Sequence, residues 1–151
     1  MPIAGGCRCG AVRYTLAIEA LPSVYACHCL FCQTWSGSAF ALHALLPETA
    51  VELSGPLTSY DHPSIGGHVS RQRICSVCHT RVGNHSVLMP GMFVLRAGTL
   101  DDSHLLEPVA HIWTRRKQPW IRLEEGVPSW PESPTPEEYA AAMRKGRVPP
   151  A

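Results

Sequence analysis

Seven cysteines fall in three tight clusters, Cys7-Arg8-Cys9, Cys27-His28-Cys29-Leu30-Phe31-Cys32 and Cys75-Ser76-Val77-Cys78, and nothing else in the chain constrains its fold as much. An odd number of cysteines at these spacings does not make a disulfide framework, because residues two or three apart seldom bridge to one another. The same spacings suit metal chelation, since thiolates on one tight turn can converge on a single ion. Zinc is the expected ion. It takes four protein ligands in a closed structural site and three where a position is left for water or substrate. Seven divides accordingly. Cys7, Cys9, Cys75 and Cys78 form the closed set, tying the N-terminus to the middle of the chain, and Cys27, Cys29 and Cys32 form the open one. Two zinc ions per chain are predicted. On spacing alone, His28 or His79 could add an imidazole and close the triplet. His43, His62, His68, His85 and His104 show no ligand spacing and read as ordinary surface or core residues.

Composition narrows the partners. The length of 151 residues and a hydrophobic fraction of 45% suit one ordinary domain with a real core. A net charge of +1 supplies no long-range field, so neither nucleic acid nor an anionic membrane surface is expected as a partner. The longest apolar stretches, at 39–46 and 87–95, are interrupted by His43 and by Pro90-Gly91. Both fall short of the ~20 residues that span a bilayer. The opening Met-Pro-Ile-Ala-Gly-Gly lacks the basic start and apolar core of a secretory signal, and the chain is expected in the cytoplasm, where thiols stay reduced.

Frequent glycine and proline cut the chain into short segments of the kind β domains show. Val12, Tyr14 and Leu16 alternate with Arg13 and Thr15, the pattern of a half-buried strand. Further short strands are predicted at 23–26, 39–43, 51–53, 58–60, 68–74, 81–85, 92–96 and 109–113. A short helix or turn is predicted after Cys32, through Trp35. The clearest helix signal comes late. Thr135-Pro136-Glu137-Glu138 has capping-box spacing with proline at the first helical position, and the helix would run through Tyr139 and Met143 to stop near Gly146. Residues 127–136 are proline-rich and read as an extended segment laid over the body. The prediction is a mainly β zinc domain over 1–130, with a C-terminal extension over 131–151 whose helix packs on the same domain.

The order and spacing of these motifs resemble the glutathione-dependent formaldehyde-activating enzyme family, whose domain is shared with the centromere protein V family. The likeness runs from Gly5-Gly6-Cys7-Arg8-Cys9-Gly10 through Cys27-His28-Cys29 and Cys32 with Ser36-Gly37-Ser38. It continues through Arg73-Ile74-Cys75-Ser76-Val77-Cys78-His79-Thr80 and Gly98-Thr99-Leu100-Asp101-Asp102 to His111-Ile112-Trp113, Lys117 and Trp120. It implies an Mss4-like β-rich fold, with structural zinc at the first and third motifs and catalytic zinc at Cys27, Cys29 and Cys32. Two positions depart from the family pattern. His79 stands where glycine is usual, and Gln33-Thr34-Trp35 follows Cys32 in place of a more common basic residue.

The activity implied is a carbon–sulfur lyase reaction, the condensation of glutathione with formaldehyde or its reversal. The centromere relatives imply another reading, a non-catalytic zinc module that binds a partner, and a third keeps the chemistry with a different thiol or carbonyl compound. Three thiolates already leave zinc with a net negative charge, so a thiol substrate calls for positive charge or hydrogen bonds nearby. Arg71, Arg73, Arg81 and Lys117 are candidates to bind substrate carboxylates, and Ser36 and Ser38 either donate to the thiolates or shape the turn.

Overall fold

The computed structural model describes residues 1–64 and 66–145. The helix stop expected at Gly146 lies outside the described residues. In chain order the strands and α-helices are β1 (Ile3–Gly6), β2 (Arg13–Leu16), β3 (Val24–Cys27), α1 (Leu30–Ser36), β4 (Ala41–Pro47), β5 (Val51–Ser54), β6 (Leu57–Pro63), β7 (Val69–Cys75), β8 (Arg81–Ser86), β9 (Met92–Arg96), β10 (Pro108–Ile112) and α2 (Pro136–Lys145). The chain is mainly β, as the short segments and frequent breakers predict. It forms two compact units, each built from two separated stretches: 1–22 with 44–105, and 23–43 with the described residues from 106 onward.

In the first unit, β1, β2 and β5 form an antiparallel sheet with β2 in the middle. The alternation read in the sequence is realised there, with Tyr14 and Leu16 buried and Arg13 and Thr15 exposed. The Tyr14 hydroxyl meets Thr99 Oγ1 at 2.7 Å, and it passes so close to β1 that a Cβ on Gly5 would lie 2.3 Å from its oxygen. That approach accounts for glycine at position 5, and for a strand (β1) that the sequence does not announce. Strands β6 to β9 form an antiparallel meander. Val12, Val82, Leu53 and Leu57 pack around Cys7 and Cys75.

In the second unit, β3 pairs in parallel with β10 and in antiparallel fashion with the first residues of β4. Flanked on both sides, β3 is buried at all four positions, which explains its continuous run Val-Tyr-Ala-Cys. Two residues separate β3 from helix α1, which already contains Cys32 where the spacing predicts a helix or turn only after it. The helix ends at Gly37, whose φ of 66° is the left-handed conformation that suits glycine. Strand β10 stops at Ile112 because Trp113 turns left-handed at φ 58°. The proline-rich stretch lies beside β10 in part: Ser129 bridges His111 and the Trp130 N–H returns to the His111 carbonyl, after which the chain bends at 131–132 and enters α2 at Pro136. Helix α2 then lays Tyr139, Ala142 and Met143 against Tyr25 and Ala110. Among the described residues no helix is long and apolar enough to cross a membrane.

Candidate metal centres

The two cysteine sets are each assembled within one unit. In the first unit Cys7 follows β1, Cys75 closes β7, and Cys78 sits in the turn that leads to β8. The Sγ atoms of Cys7, Cys9, Cys75 and Cys78 lie within 4.8 Å of one another, with Cys7 to Cys9 at 3.5 Å and Cys9 to Cys75 at 3.9 Å. A tetrahedron with Zn–S bonds of about 2.3 Å has edges of about 3.8 Å, so four sulfurs at these separations fit such an ion. Backbone N–H groups support them: Val12 donates to Cys7 Sγ at 3.2 Å and Val77 to Cys75 Sγ at 3.4 Å. The Thr80 hydroxyl and then its N–H hold the Cys78 thiol down to about 5, well below the ordinary thiol range.

The second set comes from one short stretch of the other unit. Cys27 ends β3, Cys29 is the residue that caps α1, and Cys32 lies in the first turn. All three are buried, and their Sγ atoms lie within 4.8 Å of one another. Among the described residues, no fourth histidine, cysteine or carboxylate ligand atom joins them within that distance. Cys29 Sγ accepts the Cys32 N–H at 3.4 Å. Hydrogen bonds from Cys27 and then Cys32 draw Cys29 down to about 3, while contacts with Cys29 and Cys32, and then burial, push Cys27 up. A cluster that concentrates negative charge on one sulfur is chemically suited to a cation.

The histidines divide in a way spacing did not reveal. His28 turns its Nε2 to His111 Nδ1 at 3.0 Å and does not join the triad, and His79 belongs to the first unit. His111 Nε2 in turn lies 2.8 Å from Glu124 Oε2. A carboxylate only accepts, so His111 donates through Nε2, and a neutral His111 then accepts from the His28 Nε2–H. Burial, and after it the electrostatic effect of the His111 ring and of Lys117, lowers His28 to about 4. His43, expected as an ordinary surface or core residue, is a core one, with its ring against Tyr25, and its Nε2 lies 3.5 Å from Cys32 Sγ. Only the pairing of β3 with β4, which sets Tyr25 opposite His43, brings it there. No local sequence signal marks that contact.

The basic candidates separate as well. Arg71 is engaged by Asp61 through two hydrogen bonds of 2.8 and 2.9 Å, and Arg81 donates to Gln72 Oε1 at 2.9 Å. Both belong to the first unit, as does Arg73. Lys117 shares the second unit with the triad, but its Nζ donates to the carbonyls of Gln118 at 3.3 Å and Ile121 at 2.8 Å. The Ser36 hydroxyl donates to the Phe40 carbonyl and accepts the Ser38 N–H, so its hydrogen bonds shape the turn after α1. Gln33, the first of the residues that stand after Cys32 in place of a more common basic one, gives its Nε2 to the His28 carbonyl and to the Arg116 carbonyl, each at 2.8 Å. It thereby holds the peptide between Cys27 and Cys29.

A family model described as glutathione-dependent formaldehyde-activating enzyme matches residues 2–116. No curated protein matches the chain. Among solved structures, a crystal structure of a Rhodobacter sphaeroides protein aligns with a TM-score of 0.52 at 16% identity, covering 84% of this chain and 99% of that one. At that identity the likeness speaks for the fold.

Proposed function

The chain belongs to the glutathione-dependent formaldehyde-activating enzyme family, and from that premise we propose a zinc-dependent carbon–sulfur lyase that joins a thiol to formaldehyde. Cys7, Cys9, Cys75 and Cys78 hold a structural zinc ion, and Cys27, Cys29 and Cys32 hold the catalytic one. The observation that carries this reading is the contrast between the sets: four sulfurs gathered in one unit, and three in the other that no fourth histidine, cysteine or carboxylate atom among the described residues approaches within 4.8 Å of all three. Bound at the triad, zinc supplies an open coordination position that favours a thiol in its thiolate form.

The chain's own residues make that position workable. Three thiolates around a divalent ion leave a net negative charge, which opposes a fourth. The Cys32 N–H on Cys29 Sγ and the His43 ring beside Cys32 Sγ draw part of that charge away. Gln33 fixes the His28 carbonyl, and His111 with Glu124 fixes the His28 ring, so the short ligand loop is held from both sides of its backbone. In the reaction the substrate sulfur forms a bond to the formaldehyde carbon, the C=O π pair moves to oxygen, and that oxygen takes up the proton lost by the thiol. The reverse reaction cleaves the same C–S bond. Glutathione is the thiol the family name specifies.

The test is to titrate glutathione into zinc-loaded protein, following the metal's coordination by X-ray absorption together with formaldehyde consumption. A new sulfur neighbour at the catalytic zinc and consumption faster than the spontaneous reaction are expected. An unchanged zinc shell with no acceleration would overturn the reading.

A further inference from the structure

Beside the triad, in the same unit, lies an open depression of about 550 Å³ lined by Gln33, Thr34, Ser38, Gln118 and Trp120, with Gly37 and Ala39 completing its wall. That volume accommodates a ligand of ordinary small-molecule size. Gln33 connects the two features, because it follows Cys32 on α1 and binds the carbonyl between Cys27 and Cys29. Gln33 is thus shared by the depression and by the backbone that carries the triad, although none of the three buried cysteines itself lines the depression.

No lining side chain carries a charge. The nearby cations are engaged elsewhere or do not line the depression. Lys117 is tied to two backbone carbonyls, Arg115 pairs with Glu132, and the exposed Arg116 contributes its carbonyl to Gln33. The lining is instead a connected set of neutral groups. Trp120 Nε1 donates to Gln118 Oε1 at 2.7 Å, and Gln118 Nε2 donates to Gln33 Oε1 at 3.2 Å. Both N–H bonds of Gln33 are already used on the His28 and Arg116 carbonyls. The remaining capacity is mixed: the second N–H of Gln118, further lone pairs on the two carboxamide oxygens, and the hydroxyls of Thr34 and Ser38. An amide both donates and accepts, so it can satisfy such a surface. A carboxylate only accepts, would meet as many acceptors as donors, and would lose hydration without a counter-charge.

Resting on the lyase reading above, we infer that the thiol taken at the triad carries uncharged amides as its recognition elements, a pantetheine-like chain in preference to one with free carboxylates, read by Gln33, Gln118 and Trp120. The experiment is isothermal titration of the zinc-loaded full chain with two matched pairs, pantetheine against glutathione and N-acetylcysteine amide against N-acetylcysteine, with 2-mercaptoethanol as a thiol too short to reach the depression. The neutral member of each pair should bind at least tenfold more tightly. Trp120→Ala should weaken pantetheine about fivefold and leave 2-mercaptoethanol unchanged, and Gln118→Lys should narrow the gap between N-acetylcysteine and its amide at least fivefold. Equal or tighter binding of the carboxylate-bearing thiols would overturn this inference and leave the lyase reading standing. If no thiol binds, 2-mercaptoethanol included, both fall together.

Discussion

Single residues show where this sequence departs from what backbone geometry favours. His79 occupies a left-handed conformation, φ 62°, in the turn that carries Cys78, a conformation that costs an L side chain about 1–2 kcal/mol and glycine nothing. His79→Gly should therefore raise stability by about 1 kcal/mol, read as an upward shift in the urea midpoint of zinc-loaded protein. An unchanged or lower midpoint would mean that the imidazole makes a compensating contact. Trp113 is the other non-glycine residue with positive φ among those described, at 58°, and it packs on the cluster that contains Cys27, Cys29 and Cys32. Strain in a bulky residue persists only where its surroundings hold it, as Ser133 does by accepting the indole N–H at 3.1 Å. Tyr14 belongs to this scale too. Burial raises its hydroxyl to about 12, against an ordinary value near 10. The unfolded chain releases that proton first, so stability is intact below pH 10 and declines as pH rises from about 10 to about 12, by about 2–3 kcal/mol. Tyr14→Phe should flatten this part of the pH–stability curve, and denaturation midpoints at pH 9 and 11 for both proteins would check it.

At the scale of elements, the most local signals translated most directly. The capping box at the start of α2 forms in both directions, with the Thr135 N–H on Glu138 Oε2 at 2.8 Å and the Glu138 N–H on Thr135 Oγ1 at 3.2 Å. It was legible because every atom involved lies within four consecutive residues. Thr135→Ala should cost about 1 kcal/mol and loosen Tyr139 from Tyr25, seen as faster amide exchange over α2 with the metal content unchanged. The alternation of β2 was legible for the same reason. Strand β1 was not, since Ile-Ala-Gly-Gly has weak strand preference and is organised by β2 and by the hydroxyl of Tyr14 crossing Gly5. Helix α1 was only half legible. Its cap is a cysteine sulfur, which no propensity scale ranks as a helix start, and it begins at Leu30 because Cys29 turns its sulfur to the Cys32 N–H.

Across the whole molecule, each cysteine set belongs to its own unit, so the two should answer differently to mutation. Cys29→Ser should leave one zinc per chain by elemental analysis and keep a cooperative thermal transition. Cys78→Ser should abolish the cooperative transition, because a structural zinc contributes about 10–16 kcal/mol, comparable to or above the whole stability of a domain. Equal damage from both changes would argue against dividing the sets into catalytic and structural. By itself the sequence determined the cysteine grouping, the mainly β character and the C-terminal helix, because metal-ligand spacing, strand alternation and capping are short-range properties of a chain. Only the tertiary structure decided what surrounds those sulfurs. His43 reaches Cys32 through the β3–β4 pairing, His111 and Glu124 reach His28 from 83 and 96 residues downstream, and Gln33 meets Gln118 across 85 residues. Such contacts are set by strand register and by the path of the returning chain, and no local pattern of residues carries that information.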